Sequence, residues 1–95
     1  MRLPIRIFHV RDRSMEPAIM DGDYVLVSAL HSRLRNGDVV ILPHPKTGLY
    51  LIKRVSGIKG DSLFVLGDNA KLSDDSRSFG YVKSCEIIGK VIYKV

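Results

Sequence analysis

Lys53 lies in an apolar stretch of sequence, and burial there would allow it to act as a general base. In the segment 49–55, the alternate side chains of an extended chain face opposite ways. Lys53 then shares one face with Leu49, Leu51 and Val55, all of them apolar. A lysine on such a face either extends its ammonium to solvent or is desolvated. Desolvation lowers the pKa of an amine toward neutral pH, which is what a general base requires.

Ser14 is the candidate nucleophile for such a base. It follows the first apolar stretch of the chain and precedes Pro17, which suits a tight turn or the first turn of a short helix. Serine becomes nucleophilic when a base takes its proton, and backbone N–H groups at a turn would bind the resulting oxyanion. Taken alone, Ser14 is more typical of a helix N-cap than of a nucleophile, and Lys53 is more typical of a strand lysine that reaches solvent than of a base.

Other catalytic groups have less support in the sequence. His9 lies in the first apolar stretch, His31 in a basic turn and His44 between two prolines, and none has an acidic partner at motif spacing. The Asp pairs lack accompanying His or Glu residues, so no metal site is expected. Cys85 is the only cysteine, which excludes an internal disulfide and favours a structural thiol. No cofactor is expected.

Short apolar stretches separated by Gly-Asp turns must position these residues. They are rich in Val, Ile, Leu and Tyr, which favours strands over helices. Strands are expected at residues 5–10, 24–27, 39–42, 49–55, 63–66 and 87–95. One helical turn is expected after Ser14 and another near Ser84. The sequence predicts an all-β domain over residues 1–95, with a coiled or barrel-like antiparallel sheet.

A polar segment, residues 68–80, interrupts this pattern. It is rich in Asp, Asn and Ser and has no strand alternation. A loop of this length in a small domain is usually functional or disordered. Its composition favours an ordered, hydrogen-bonded loop, and a mobile surface loop is the alternative.

The composition narrows the function classes. With 45% hydrophobic and 26% charged residues, the 95-residue chain is typical of a small globular domain and not of a disordered one. Its net charge is +5, but the basic residues are spread along the chain, with a loose cluster only at Arg2, Arg6, Arg11 and Arg13. A solvated basic face is therefore favoured over nucleic-acid binding. No apolar run reaches the ~18 residues of a membrane span, so a soluble, cytoplasmic protein is expected, at most peripheral to a membrane.

Three groups of residues, in order, resemble the sequence boxes of the bacterial signal peptidase I family. Ser14-Met15-Glu16-Pro17 with Gly22-Asp23 resembles the nucleophile box, and residues 53–61 resemble the lysine box, with Lys59 where proline is usual. Residues 67–69 and 73–80 resemble the third box. Each match alone is weak, whereas all three in order are specific.

The resemblance implies roles for these residues. Ser14 would attack the scissile carbonyl and its own N–H would contribute to the oxyanion hole, while Lys53 would be the neutral-amine base. Met15 would wall the site and exclude water. Ser73 would orient the lysine. The implied fold is the coiled all-β core of the signal peptidase I and LexA-type enzymes, and small residues such as Ala are favoured before the cleaved bond.

The same resemblance implies a structural ion pair between Asp75 and Arg77 that holds the third box near the site. The chain departs from the family at Asp12, two residues before the nucleophile, where Ser or Gly is usual. An ionised Asp12 cannot donate a hydrogen bond to an oxyanion. The expected oxyanion hole is therefore left to the backbone. The membrane anchor and second domain of signal peptidases are not seen in the sequence.

Within the family, the short chain looks like the soluble maturation proteases of nickel-type superoxide dismutase, which remove a leader from a precursor protein. The expected partner is therefore a precursor protein or peptide. Three alternatives stay open: a minimal signal peptidase at the membrane surface, a LexA-type self-cleaving domain, and a non-catalytic basic β-barrel binding module.

Overall fold

The computed structural model describes residues 4–30 and 33–95, which fold into strands joined by turns. Arg2 and His31, named above, lie outside the described residues. The strands are β1 (Ile5–His9), β2 (Tyr24–Ser28), β3 (Val39–Pro43), β4 (Tyr50–Lys59), β5 (Ser62–Leu66), β6 (Val82–Lys83) and β7 (Gly89–Lys94). One turn of helix, α1 (Ser76–Phe79), and 3-10 turns at Ala70–Leu72 and Ser84–Glu86 complete the elements.

All strand pairs are antiparallel and belong to one sheet. Its order is β1-β2-β7-β3-β4-β5-β6, so that β7, the last strand in sequence, lies between β2 and β3. The register shifts within the β2–β7 and β4–β5 pairs, and such bulges bend the strands and increase their twist. The prediction of an all-β antiparallel fold is confirmed.

The central strands are covered by apolar side chains on both faces. Successive residues of β3 alternate between two hydrophobic clusters, with Ile41 in the first and Val40 and Leu42 in the second. The first cluster comprises Val10, Met15, Ile19, Val25, Val27, Ile41 and Ile52. The second comprises Val40, Leu42, Val55, Leu63, Val65, Val82 and Ile87. A strand buried on both faces reads as a continuous apolar run, which is why β3 lacks alternation in the sequence.

The segment after Ser14, where the sequence suggested one helical turn, contains a single i→i−4 hydrogen bond, from the Ile19 N–H to the Met15 carbonyl at 3.0 Å, but no regular helix. Residues 13–19 form a series of turns, in which the Glu16 N–H donates to the Arg13 carbonyl at 3.2 Å. Pro17 disfavours helical geometry at the residue before it, which favours turns over a regular helix in this segment. The 3-10 turn at Ser84–Glu86 agrees with the expected turn near Ser84.

Strand ends also differ from the predicted ones. β4 runs on through Gly57 to Lys59, with a bulge where the glycine tolerates the irregular backbone. Leu49 precedes β4 and is exposed, so it does not cover Lys53. β6 has only two residues, too few to show any pattern in the sequence. The polar segment 68–80 contains a 3-10 turn and α1, so it is an ordered loop.

Candidate active site

Ser14 is held in the loop between β1 and β2, and its side chain is fully buried. The base of the loop is tied by two hydrogen bonds, from the Gly22 N–H to the Val10 carbonyl at 2.7 Å and from the Val10 N–H to the Asp23 carbonyl at 2.8 Å. Gly22 has φ +93°, a left-handed conformation that glycine adopts without strain. Met15 is fully buried in the first hydrophobic cluster and anchors Ser14 against the sheet.

Lys53 reaches Ser14 from the middle of β4. Its Nζ donates a hydrogen bond to Ser14 Oγ at 2.9 Å. The side chain is 1% exposed, and its neighbours on the same face of the strand, Leu51 and Val55, are apolar. Burial lowers the pKa of Lys53 from its ordinary value, against the opposing effect of nearby carboxylates, of which Asp12 is the foremost. The structure thus brings the two residues proposed as nucleophile and base into contact.

The Asp12 carboxylate is the third group in this cluster. Its Oδ1 accepts a hydrogen bond from the Ser14 backbone N–H at 2.9 Å. Its Oδ2 lies 3.1 Å from Ser14 Oγ and 3.9 Å from Lys53 Nζ. The hydroxyl has a second acceptor within reach, the Ile52 carbonyl at 3.4 Å. The N–H that was expected to bind the oxyanion is therefore bound to a carboxylate.

Gly67 packs against both the Ser73 side chain and the Ser14 backbone. The Ser73 hydroxyl donates to Asp75 Oδ2 at 2.6 Å, so its hydrogen bond goes to this carboxylate and not to Lys53. A Cβ added to Gly67 would collide with the Ser73 side chain and lie 2.6 Å from the Ser14 carbonyl oxygen. Only glycine leaves room for these two segments to pack together.

Asp75 and Arg77 form a bidentate ion pair. Arg77 Nε lies 3.0 Å from Asp75 Oδ1, and Arg77 Nη2 lies 2.9 Å from Oδ2. The carboxylate also accepts the Gly67 N–H at 2.9 Å and the Arg77 N–H at 3.1 Å, which caps α1. Burial by itself raises the pKa of Asp75, but the hydrogen bonds from Arg77, Ser73 and Gly67 outweigh it and hold the pKa well below its usual range. Asp75 is a fixed anion at neutral pH.

Two further contacts hold the loop 67–69 against the nucleophile, and sequence reasoning assigned neither of them. Arg54 donates to both carboxylate oxygens of Asp68, at 2.9 and 2.8 Å, and to the Gly37 carbonyl at 2.8 Å. The Asn69 N–H donates to the Ser14 carbonyl at 2.8 Å. Arg54 lies on the face of β4 opposite Lys53, and no motif spacing pairs it with Asp68.

His44 has an acidic partner that the sequence did not reveal. Its Nε2 lies 2.8 Å from Asp74 Oδ2, although thirty positions separate the two residues. Its Nδ1 accepts the N–H groups of Lys46 at 3.0 Å and Thr47 at 3.4 Å, so the ring proton of the neutral imidazole belongs on Nε2. These bonds make His44 a turn-stabilising residue. His9 stacks on Tyr24 with ring centroids 4.4 Å apart.

A groove of about 280 Å³ lies next to two residues that contact Ser14, namely Asp12 and Ile52. It runs between the end of β1 and the start of β4 and includes both Asp12 and Ile52, the acceptors next to Ser14 Oγ. Its lining is mainly apolar and aromatic: Phe8, His9, Arg11, Asp12, Ile41, Tyr50, Leu51 and Ile52. Ser14 and Lys53 are not themselves among its lining residues. A larger groove of about 550 Å³, at Arg33, Ile58, Leu63 and Cys85, includes none of Ser14, Lys53, Asp12 and Ile52.

Two negative findings apply to the described residues alone. Within 4–30 and 33–95, His, Cys, Asp and Glu side chains form no group of three that suits a metal ion. In the same part of the chain, no helix has the length and apolar character needed to cross a membrane.

Comparison with known proteins identifies related sequences. The family model described as Peptidase S24-like matches residues 4–92. Signal peptidase I of Bacillus caldolyticus is 43% identical over 51 residues, which cover 50% of this chain and 28% of that protein. Mitochondrial inner membrane protease subunit 1 of Schizosaccharomyces pombe is 32% identical over 106 aligned residues, covering 86% of this chain and 68% of that protein.

Signal peptidase I of Buchnera aphidicola subsp. Schizaphis graminum is 30% identical over 71 residues, 59% of this chain. The chain spans only 23% of that protein. It therefore corresponds to about a quarter of the length of the signal peptidase I relatives named here.

Proposed function

The chain belongs to the Peptidase S24-like family and is signal peptidase I-like, and we propose that it is a serine endopeptidase with a Ser14–Lys53 dyad. The observation that carries the proposal is the 2.9 Å hydrogen bond between Lys53 Nζ and Ser14 Oγ, both buried. Burial lowers the pKa of Lys53, so a larger share of the amine is neutral at a given pH than in an exposed lysine.

In the proposed reaction, neutral Lys53 Nζ removes the hydroxyl proton while Ser14 Oγ bonds to the scissile carbonyl carbon. The electron pair of the C=O bond moves to the oxygen, which the Ser14 N–H stabilises as an oxyanion. When this intermediate collapses, the amine product leaves with the proton from Lys53. The base is then neutral again, and it activates the water that hydrolyses the acyl-enzyme.

The surrounding residues support the dyad. Asp75 and Arg77 hold Ser73 and Gly67 beside Ser14 through the hydrogen bonds described above. Ser73 is proposed to position the lysine indirectly, through Asp75, because the Asp75 carboxylate contributes to the electrostatic environment of Lys53. Met15 closes the inner side of the site and keeps water out. The groove beside Asp12 would take the substrate on the leader side of the cleaved bond.

The proposed reaction is removal of an N-terminal leader from a precursor protein. The precursor of nickel-type superoxide dismutase is the first substrate to test, because the sequence resembles the soluble maturation proteases of that enzyme. We propose a cytoplasmic location as well, because the maturation proteases that the sequence resembles are soluble.

A second candidate function rests on the relatives. One of them is named as a subunit of a mitochondrial inner membrane protease, so a leader peptidase at a membrane surface is the alternative. Fractionation of cells that express the full chain distinguishes the two. Recovery in the membrane pellet, released by salt or carbonate, would favour the second function.

Cleavage of candidate precursors tests the dyad. Purified protein is incubated with a precursor, and new N-termini are sequenced. Ser14→Ala and Lys53→Ala are each expected to abolish cleavage without unfolding the protein. The matched controls are Ser56→Ala and Lys59→Ala, which remove exposed residues of the same types from β4. Full activity in either dyad variant would overturn the proposal.

A further inference from the structure

The N–H of the nucleophile and its hydroxyl are both bound to one carboxylate. Asp12 Oδ1 accepts the Ser14 N–H at 2.9 Å, and Oδ2 accepts the Ser14 hydroxyl at 3.1 Å. A carboxylate bound in this way occupies the position where the carbonyl oxygen of a substrate must accept the same N–H. Substrate and Asp12 therefore compete for one donor.

The Asp12 carboxylate also favours the protonated form of Lys53, which cannot act as a base. Lys53 Nζ donates to Ser14 Oγ and lies 3.9 Å from Asp12 Oδ2. The hydrogen bonds run in one direction, from the amine to the hydroxyl and from the hydroxyl to the carboxylate. This order suits a protonated Lys53, whereas catalysis needs the hydroxyl to donate to a neutral amine.

Other charged groups around the base are farther from its amine or belong to other pairs. Asp74, Asp75 and Arg77, in the polar segment 68–80, also act on Lys53, but Asp12 is the carboxylate with the largest effect. On the Asp12 side, Arg11 and His9 line the same groove, and Arg13 is paired with Glu16 at 3.0 Å.

We propose that Asp12 is an inhibitory latch, which holds the free enzyme in a resting state until a substrate carbonyl displaces it from the Ser14 N–H. The inference rests on the proposed Ser14–Lys53 dyad. When the carboxylate moves away, Lys53 loses its nearest counter-charge and releases a proton to solvent. The Ser14 hydroxyl then donates to the neutral amine, and the N–H is free for the oxyanion. The exposed fraction of the Asp12 side chain, 36%, leaves it room to turn toward solvent.

Two substitutions separate the two effects of Asp12. Asp12→Asn removes the charge but retains a side-chain oxygen that can accept the Ser14 N–H. Asp12→Ala removes both the charge and the acceptor. The control is Asp21→Asn, which removes an exposed carboxylate that is not among the groups acting on Lys53.

The assay is release of p-nitrophenol from N-acetyl-alanine p-nitrophenyl ester, measured against pH and corrected by the rate of Ser14→Ala. In the wild type the rate rises with pH as Lys53 loses its proton. Because Asp12 lies 3.9 Å from Lys53 Nζ and is partly exposed, both Asp12 variants are expected to move this rise about half to one pH unit toward acid. Asp12→Ala is also expected to raise the plateau of kcat/KM about threefold to tenfold, and Asp12→Asn to leave it nearly unchanged.

The outcomes distinguish the latch from the dyad. If Asp12 only stabilises the turn, both variants lose activity at every pH, the rise does not move, and the latch is overturned while the dyad stands. If wild type and both variants show no Ser14-dependent release, the dyad is overturned and the latch with it. Activity in Asp12→Ala that exceeds wild type below neutral pH supports the latch, provided that Asp21→Asn behaves as wild type.

Discussion

Lys53→Met tests whether Lys53 is a desolvated base or a structural cation. The substitution keeps the length of the side chain and removes the amine from a site that is 1% exposed. It loses one hydrogen bond to Ser14, worth about 0.5–1.5 kcal/mol. It also loses the attraction of Asp12 at 3.9 Å, which is about 1 kcal/mol if screened as in water and about 4 kcal/mol at an effective dielectric constant of 20.

The substitution also removes the cost of keeping an ammonium out of water, which is several kcal/mol for a buried ion. Because Asp12 is partly exposed, its attraction lies toward the lower value, and the desolvation cost exceeds it. We therefore expect Lys53→Met to be neutral or to raise the free energy of unfolding by up to about 3 kcal/mol at pH 7. In a domain of this size, 1 kcal/mol corresponds to about 4–8 °C in Tm.

The sign of the pH dependence follows from the lowered pKa of Lys53. Between the folded-state pKa and the ordinary lysine pKa, the unfolded chain binds more protons than the folded one, so the wild type gains stability as the pH rises. Lys53→Met lacks this gain, and its advantage over wild type shrinks from pH 7 toward pH 10.

Urea unfolding at pH 7 and pH 10 measures both effects, with Lys59→Met as the control. Lys59 is exposed at the end of the same strand, so its substitution is expected to change stability by less than about 0.5 kcal/mol. A loss of more than about 2 kcal/mol in Lys53→Met at pH 7 would refute the reasoning, because it would show that the ammonium is a paired structural cation.

Two further predictions concern Gly67 and Asp75, which support the Ser14 site. Gly67→Ala places a Cβ against Ser73 and 2.6 Å from the Ser14 carbonyl oxygen, so we expect a loss of about 1–3 kcal/mol of stability and of most activity. The control is Gly57→Ala, whose Cβ would meet its nearest atom at 3.6 Å. Equal effects of the two substitutions would contradict the packing argument. Asp75→Asn is expected to cost about 2–4 kcal/mol at pH 7 by urea unfolding. Because the folded-state pKa of Asp75 is lowered, the stability that its carboxylate contributes is present above the unfolded-state pKa and is lost as the pH falls. The stability difference between wild type and Asp75→Asn must therefore shrink below about pH 4. A difference that stays constant with pH would argue against the ion pair.

Much of the sheet was predictable because its strands are short, rich in β-branched residues and bounded by glycine turns. β3 and β4 were found for that reason, and alternation along β4 correctly placed Lys53 on an apolar face. Prediction from the residue pattern fails at β6, because two residues are too few to show an alternation of apolar and polar side chains. It also fails at the segment after Ser14, where turns with a single i→i−4 hydrogen bond form instead of a regular helical turn.

The contacts within the site required the fold. Asp12 was visible as a departure from the family, but its carboxylate could be placed on the Ser14 N–H only once the turn geometry was known. The partners of Arg54 and His44 lie fourteen and thirty positions away along the chain, and no local pattern connects such pairs.

The central claim is that Lys53 takes the proton from Ser14. The most direct measurement is the pH dependence of Ser14 acylation by N-acetyl-alanine p-nitrophenyl ester, followed by mass spectrometry of the peptide that contains Ser14. We expect an acyl adduct on Ser14 in the wild type, with a rate that rises with pH and an apparent pKa below the ordinary value of lysine, and no adduct in Lys53→Met. Acylation of Ser14 at an undiminished rate in Lys53→Met would contradict the account.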